Sequence, residues 1–345
     1  MNARKSWWVA AALAGVLSMP SSVMAQQESR DGPIRQWLKE RRIERQKSAP
    51  PATASDEIRP RITGAGDFDF EIVHEGRLRK FRVHVPRSYR ADRATPLLLS
   101  FHGGGGDMAY QASDSNYGQI GASERDGFVA VFPNGFSRFD SGKFATWNAG
   151  NCCAGARDEK VDDVGFVRKI LAEVQAQLNI DKARIYASGM SNGGMMAYRL
   201  ACEMSDVFKA IASVAGTDNT IECAPKAPIS ILHIHARNDT HVLFQGGAGA
   251  TFRDVSKVTD FRSVPSTIAR WVEFDGCNKT PKRVLERPGA YCERYDGCRE
   301  GVEVQLCVTD TGGHSWPGGT KTRGSEETSK AISANEVMWD FFSGR

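Results

Sequence analysis

The sequence predicts an α/β fold, in which a mostly parallel sheet begins with antiparallel strands and carries helices on both faces. The stretch DFDFEIVHEGRLRKFRVHVP alternates apolar and polar residues on both sides of HEGR, which is typical of a hairpin. Continuous apolar runs closed by glycines, such as TPLLLSFHGGGG, are typical of buried parallel strands. Amphipathic helical segments alternate with these runs, and that alternation indicates helices packed on both faces of one sheet.

The other predicted elements follow the hairpin in a regular order. Buried or alternating strands are expected in TPLLLS, DGFVAVFPNG, ARIYAS, PISILHIHA and VEVQLCV. Helices are expected in DDVGFVRKILAEVQAQL, GGMMAYRLACEM, PSTIARWVEF and ANEVMWDFF, the first of them behind an acidic N-cap. No internal repeat interrupts this order, so we expect one large domain over residues 62–345.

The residues before this domain predict two further segments. A basic start, a short apolar run and the small residues of SSVMA predict an export signal over residues 1–25, with an uncleaved membrane anchor as the alternative. Residues 26–61 predict a basic arm and a linker rich in Pro, Ala and Ser. Residues 30–47 hold seven Arg or Lys and three Asp or Glu, so we expect weak contact with an anionic surface, or else a solvated spacer.

The cysteine count and the charge agree with export. Eight cysteines, an even number, favour disulfides in an oxidising compartment, although the sequence alone leaves their pairing open. Zinc binding would require C-x-x-C pairs, and the sequence contains none. The net charge of +4 comes from the basic arm, so the main domain shows no basic character that would indicate nucleic-acid binding.

The stretch ASGMSNGGMM places Ser191 between Gly189 and Gly193, at the spacing G-x-S-x-G. With a strand predicted before it and a helix after it, this is the context of a nucleophile elbow. The turn is so tight that side chains at the flanking positions would clash, which accounts for the two glycines. The alternative is an ordinary glycine-rich turn that happens to contain a serine.

A nucleophilic serine needs a base, and the base needs an acid that orients it. In α/β-hydrolases the chain order is Ser, then Asp or Glu, then His. His314, in the glycine-rich loop DTGGHSWPGG behind a predicted strand, is the candidate base. Asp239, in HARNDTH behind another predicted strand, is the candidate acid, with Asp275 and Asp296 as weaker alternatives.

Two other histidines, His233 and His235, lie on the strand that precedes Asp239 and point to one face of it. An H-x-H pair can bind a metal ion, but the sequence offers no evident third ligand. We therefore expect packed, hydrogen-bonded strand histidines and no metal site.

The loop FHGGGGD predicts an oxyanion hole, because glycine-rich backbone exposes amide groups. One donor is expected from the backbone N–H of Asn192 and the other from Gly104 or Gly105. The loop lacks the lysine and the hydroxyl residue of a phosphate-binding P-loop, so nucleotide binding is not expected.

These motifs resemble a known family. LLLSFHGGGGD, TWNAGNCCAGARDEKVDDVGFV, IYASGMSNGGMMAYRLACE, ISILHIHARNDTHV and GGHSWPGG resemble the secreted polyhydroxybutyrate depolymerases and feruloyl esterases, over most of residues 62–342. The resemblance implies an α/β-hydrolase fold with Ser191, Asp239 and His314 as the triad, and it implies that Trp147 and Trp316 lie near the acyl-binding site. It also implies the disulfides Cys202–Cys223 and Cys277–Cys298. Cys292 and Cys307 are then left as an additional pair, and we expect a vicinal disulfide between Cys152 and Cys153.

The sequence therefore predicts an exported serine ester hydrolase that needs no metal ion or organic cofactor. Its expected partner is a small or oligomeric ester, because no separate polymer-binding domain follows the last predicted helix. Three alternatives stay open: a depolymerase of an anionic polyamide such as poly-aspartate, a peptidase, and a catalytically silent surface-binding module.

Overall fold

The structure, a computed structural model, describes most of the predicted catalytic domain. The described residues are 61–250, 252, 260–320 and 327–344. The chain divides into two units, Met1–Ile58 and Arg59–Arg345, and all described residues lie in the second. The predicted export signal and the basic arm up to residue 60 lie outside the described residues.

Ten strands form one sheet in the described part of the chain. They are β1 (Gly66–His74), β2 (Arg77–Val85), β3 (Thr95–Phe101), β4 (Val129–Pro133), β5 (Ile180–Met190), β6 (Ala210–Val214), β7 (Ser230–Ala236), β8 (Lys282–Arg287), β9 (Ala290–Tyr295) and β10 (Val304–Thr309). Their order across the sheet is β1-β2-β4-β3-β5-β6-β7-β10-β9-β8. The six central strands, from β4 to β10, are parallel, and antiparallel strands flank them on both sides.

Eight α-helices are described. They are α1 (Met108–Ala112), α2 (Asp114–Tyr117), α3 (Gln119–Asp126), α4 (Ala154–Asp158), α5 (Asp163–Gln177), α6 (Asn192–Glu203), α7 (Val264–Asp275) and α8 (Ala334–Ser343). The side chains of α5, α6 and α7 pack on one face of the sheet, and those of α1, α3 and α8 pack on the other. The predicted α/β architecture is confirmed, including its antiparallel start. The four short helices, β6 and the β8–β9 hairpin were not predicted.

The described residues contain four disulfides. The four pairs are Cys152–Cys153, Cys202–Cys223, Cys277–Cys298 and Cys292–Cys307. The two pairs that the family resemblance implied and the two further expected pairs are therefore all present. Within the described residues, no helix is long and apolar enough to cross a membrane.

A buried ion pair fixes α5 against the antiparallel start of the sheet. The Arg79 guanidinium on β2 donates to the Asp163 carboxylate at 2.6 Å, and both side chains are almost fully buried. The same guanidinium lies 4.0 Å from the centre of the Phe166 ring. The second carboxylate oxygen of Asp163 accepts the backbone N–H of Asn148 at 2.8 Å. One carboxylate thus links β2, α5 and the loop that leads to the cysteine pair.

We expect Asp163→Asn to lower the free energy of unfolding by about 3–5 kcal/mol, because it leaves the Arg79 charge buried without a counter-charge. The matched control is Asp92→Asn, which removes a carboxylate from an ion pair with Arg90 in which both side chains are exposed. That change should have little effect on stability. Urea unfolding followed by circular dichroism measures both, and equal midpoints for the two variants would contradict the assigned role of Asp163.

Candidate active site

The turn that carries Ser191 joins β5 directly to α6. Ser191 has φ 55° and ψ −121°, a backbone conformation that residues other than glycine rarely adopt. Its N–H donates to the carbonyl of Val214 at 2.8 Å, and its carbonyl accepts the N–H of Met195 at 2.9 Å. These bonds tie the turn to β6 on one side and to α6 on the other. A strained backbone that presents one partly exposed hydroxyl is typical of a nucleophile elbow.

Glycines surround this turn because backbone fills the space where side chains would lie. A Cβ at Gly189 would overlap the backbone of Gly193, and a Cβ at Gly193 would overlap the carbonyl oxygen of Phe101. A Cβ at Gly216 would overlap the carbonyl oxygen of Ser191 itself. The steric reason predicted for the glycines at 189 and 193 is therefore present in the structure. Gly216 is a third such position, which the motif did not reveal.

The topology of the sheet brings the candidate acid and base to the edge that holds Ser191. Ser191 follows β5, Asp239 follows β7 and His314 follows β10, and these strands are parallel with only β6 between β5 and β7. The Nδ1 atom of His314 lies 2.8 Å from Oδ2 of Asp239. The side chain of Asn238 accepts the N–H of Gly313 at 2.9 Å, which joins the two loops a second time.

Asp239 is held as a carboxylate although its side chain is buried. Burial alone would raise the pKa of this carboxyl, but the charge of the His314 ring and hydrogen bonds from His235 and His314 hold the pKa well below its ordinary value. Its Oδ1 atom also accepts the backbone N–H groups of His241 at 2.8 Å and Val242 at 3.0 Å. Asp239 is therefore ionised and fixed in the orientation in which it faces His314.

His241 is a neighbour of His314 that the sequence analysis did not single out. The two rings stack with their centres 4.7 Å apart and their planes 17° from parallel. Asp239, His241 and His314 place three atoms capable of metal binding within 4.8 Å of one another. Imidazole lone pairs lie in the ring plane, so two nearly parallel stacked rings do not aim them at one point. This geometry fits a stacked partner of His314 better than a metal ligand.

The glycine-rich loop after β3 lies beside Ser191, and its hydrogen bonds exclude Gly105, one of the two alternative donors. The N–H of Gly105 donates to the carbonyl of Ala145 at 2.8 Å, so this amide is already used. Gly104 lies next to Asn192, since a Cβ on it would be 3.6 Å from the Asn192 Cβ, and Gly103 stands in the same relation to Ser191. Gly104 thus stays a candidate donor beside the first amides of α6, which have no carbonyl partner within the helix.

Two hydrogen bonds that the sequence did not predict connect the Asn192 side chain to the backbone of Trp147. The Asn192 side chain accepts the backbone N–H of Trp147 at 2.7 Å and donates to its carbonyl at 3.1 Å. The indole N–H of Trp147 donates to the carbonyl of His102 at 2.9 Å. Trp147 is fully buried and Trp316 is 2% exposed, packed edge-on against Tyr117. Substrate contact by the two tryptophans stays a prediction, and their burial favours a packing role.

The alternative acids lie elsewhere in the fold. Asp275 ends α7 and accepts the N–H of Ile229, at the amino end of β7 and so at the opposite edge of the sheet from His314. Asp296 pairs with Lys282 on the β8–β9 hairpin. Neither carboxylate lies in the loop that orients His314, which leaves Asp239 as the acid that the structure brings to it.

The fold and the arrangement at this edge define an α/β-hydrolase. The solved acetyl xylan esterase from Aspergillus awamori shares the fold, with a TM-score of 0.54 over 81% of this chain and 100% of that one, at 11% identity. Residues 127–224, which include Ser191, match the prolyl oligopeptidase family.

Within this class, the chain is similar in sequence to several esterases. It is 32% identical to feruloyl esterase B of Piromyces equi over 243 residues, which are 69% of this chain and 42% of that protein. It is 28% identical to feruloyl esterase C of Emericella nidulans over 242 residues, which are 68% of this chain and 82% of that protein. The chain thus spans less than half the length of the first relative and most of the second.

We expect Gly193→Ala to destabilise the fold by at least about 3 kcal/mol, because its Cβ would overlap backbone at the end of β3, which cannot move without distorting the sheet. Gly64→Ala is the matched control, since nothing lies within 4 Å of a Cβ at that position. Thermal unfolding followed by circular dichroism compares the two. Equal melting temperatures would mean that the turn at Ser191 is less closely packed than described.

We expect Asp275→Asn to change how stability depends on pH. Burial raises the pKa of the Asp275 carboxyl to about 7, against the opposing effects of the Ile229 N–H and of Arg299. The unfolded chain releases this proton near pH 4, so the folded protein binds more protons between pH 4 and 7 and loses stability as the pH rises through that window.

As the pH rises from 4.5 to 8, the free energy of unfolding of the variant should therefore increase relative to that of the wild type, by up to about 3 kcal/mol. Urea unfolding at several pH values measures the difference. Asp296→Asn, at an exposed carboxylate whose pKa is lowered chiefly by Lys282, is the control and should show no such rise. A constant difference between Asp275→Asn and wild type from pH 4.5 to 8 would contradict the assignment.

Proposed function

We propose that the protein is a carboxylic ester hydrolase that works through an acyl-enzyme on Ser191, with His314 as base and Asp239 as orienting acid. The observation that carries the proposal is the 2.8 Å bond between His314 and an ionised, buried Asp239, at the sheet edge that presents Ser191 in a strained turn. A hydroxyl, an imidazole and a carboxylate in this chain order match the roles of a serine hydrolase triad.

In the first half of the reaction, the Ser191 oxygen attacks the ester carbonyl carbon while its proton passes to Nε2 of His314. The Nδ1–H of His314 stays bonded to Asp239, whose negative charge stabilises the imidazolium that forms. The negative charge that develops on the carbonyl oxygen is stabilised by the amide groups of Asn192 and Gly104 and by the positive end of the α6 dipole. The imidazolium then protonates the departing alcohol, and an acyl ester of Ser191 remains.

In the second half, water attacks the acyl-enzyme. His314 takes a proton from the water as general base, and the collapse of the second tetrahedral intermediate returns a proton to the Ser191 oxygen. The products are a carboxylic acid and free enzyme. Each step uses only groups of this chain, and none requires an electron acceptor or an organic cofactor.

The names of the relatives give an order of preference among the substrate classes. The relatives in the comparisons are named for feruloyl and acetylxylan ester hydrolysis, which supports aryl-acyl or short-acyl esters of carbohydrate as substrates. Oligomers of hydroxybutyrate stay a second substrate class from the sequence motifs alone. Poly-aspartate stays a third, and it depends on the basic residues 30–47, which lie outside the described residues.

A peptidase is the second candidate function, because the match to the prolyl oligopeptidase family covers the segment that contains Ser191. The same triad can attack an amide carbonyl, so the two candidates differ in substrate and not in catalytic groups. We also propose that the protein works after export from the cytoplasm. The four disulfides support this, because such bonds form and persist mainly in oxidising compartments.

We expect Ser191→Ala to lower kcat/KM for p-nitrophenyl butyrate by about 10⁶-fold, since the nucleophile is removed, and Asp239→Asn to lower it by about 10⁴-fold. Ser115→Ala, at an exposed serine of α2, is the control and should leave activity unchanged. A fluorophosphonate should label the wild type and Ser115→Ala but not Ser191→Ala. Absence of labelling in folded wild-type protein would favour a catalytically silent binding module.

The substrate class is tested by a panel at equal enzyme concentration. It contains methyl ferulate, p-nitrophenyl acetate, a hydroxybutyrate trimer, poly-aspartate and a proline-containing peptide anilide. We expect the two simple esters to give the highest kcat/KM. A peptide anilide hydrolysed faster than both esters would replace the esterase proposal with the peptidase.

A further inference from the structure

A chain of buried hydrogen bonds leads from α6 to the candidate acid. The Tyr198 hydroxyl lies 2.8 Å from Nδ1 of His233, and Nε2 of His233 lies 3.1 Å from Nδ1 of His235. The Nε2 atom of His235 lies 2.8 Å from the carbonyl oxygen of Val242 and 3.2 Å from Oδ2 of Asp239. Tyr198 and the two histidines are at most 1% exposed. The chain therefore ends on the carboxylate oxygen that also bonds His314.

The acceptors at the end of this chain fix its direction. A carbonyl and a carboxylate can only accept, so Nε2 of His235 carries a proton. Burial and the neighbouring His235 hold the pKa of His233 well below its ordinary value, so His233 is neutral. Burial also raises the pKa of Tyr198 well above its ordinary value, so the hydroxyl keeps its proton.

Among the described residues, the Tyr198 hydroxyl has no hydrogen-bond partner other than Nδ1 of His233, so it donates its proton to that atom. The neutral His233 ring therefore carries its own proton on Nε2 and donates it to Nδ1 of His235. The Nδ1 atom of His235 is then an acceptor, and the ring proton of His235 lies on Nε2. Each bond therefore points toward Asp239, and Tyr198 fixes the tautomers of both histidines. The histidines are packed strand residues as expected, but the group they serve is the acid.

The contact adds a donor beside the buried Asp239 carboxylate. Its Oδ1 atom accepts two backbone N–H groups, from His241 and Val242, and its Oδ2 atom accepts the ring N–H of His314. The Nε2 atom of His235 lies 3.2 Å from the same Oδ2 atom and shares its proton between that atom and the carbonyl of Val242, which is closer, at 2.8 Å. Without the ring of His235, Oδ2 would have one donor only, and the carboxylate would be free to turn away from His314 or to concentrate its charge on that ring.

We propose that His235 is a positioning residue for the acid, and that Tyr198 and His233 hold it as the neutral tautomer that donates to Asp239. This inference rests on the proposed ester hydrolase function. It goes beyond the triad because it assigns a task in the reaction to three side chains that touch neither substrate nor Ser191. If the three side chains had a purely structural role, they would only satisfy one another's buried polar atoms and would not affect the reaction.

The first test compares His235→Phe with His235→Gln. Phenylalanine fills the space but donates nothing, whereas the glutamine amide can place a donor near the position of the lost Nε2–H. We expect His235→Phe to lower kcat by about 10-fold to 100-fold, the range for losing a hydrogen bond to a charged group. The KM should change little, and the acid limb of the kcat/KM profile should shift to higher pH, because more of the Asp239 charge then acts on His314. His235→Gln should stay within about 3-fold of the wild type.

The second test uses a pair of buried tyrosines. Tyr198→Phe removes the first donor of the chain, and we expect kcat to fall by about 3-fold to 10-fold as the tautomers lose their anchor. Tyr186→Phe is the matched control, because its buried hydroxyl donates to the carbonyl of Phe342 at 2.9 Å, outside the chain. Both variants should lose thermal stability, but only Tyr198→Phe should lose kcat.

The outcomes separate this proposal from the one on which it rests. If Ser191→Ala and Asp239→Asn lose activity while His235→Phe and Tyr198→Phe keep the wild-type kcat and pH profile, the positioning role is wrong and the triad stands. If Ser191→Ala keeps its activity, the function itself is wrong. Imidazole ¹⁵N spectra of wild-type protein at pH 7 give a test that needs no variant to fold. Protonation of His235 or His233 on Nδ1 would overturn the assigned direction.

Discussion

Three backbone segments meet at Ser191, and only glycine fits at the points of contact. The end of β3 passes so close to α6 that Gly193 can carry no side chain, and the segment after β6 passes equally close at Gly216. Ser191 has its positive φ within this crowded turn. The close approach of β3 to α6 also places the loop that follows β3 next to the first amides of α6. The Ser191 turn, the start of α6 and the glycine-rich loop after β3 therefore share one closely packed junction.

The second requirement of the site is a charge that stays ionised in a buried place. Removing a carboxylate from water is unfavourable unless donors replace the lost solvent. Asp239 meets this condition with donors from its own loop, from His314 and from the strand before it. The buried ion pair of Arg79 and Asp163 meets it in the other way, by opposing charge. In both cases burial keeps the carboxylate with its fixed partners, because no water competes for the carboxylate oxygens.

The sequence predicted what depends on local pattern and on chain order. The parallel core, the elbow at Ser191 and the loops of Asp239 and His314 could be predicted, because strand periodicity and glycine spacing are local signals and parallel strands share one edge. The β8–β9 hairpin and β6 were not predicted, since charged residues dominate the first and the second is only five residues long. The stacking of His241 on His314 joins loops that are distant in sequence, and no local signal indicates it.

The sequence could not show which of Gly104 and Gly105 has a free amide, again because the answer depends on a segment distant in sequence. Four successive glycines give the same sequence signal, and which amide is free depends on the strand-like segment that pairs with the loop. Ala145 binds the Gly105 amide, and two residues later Trp147 is bound by the Asn192 side chain. The glycine-rich loop after β3, the segment ending in Trp147 and the start of α6 are thereby joined to one another. In the proposed reaction, donors held in this way would need little reorganisation when charge develops on a substrate oxygen, and such preorganisation is the physical basis of an oxyanion hole.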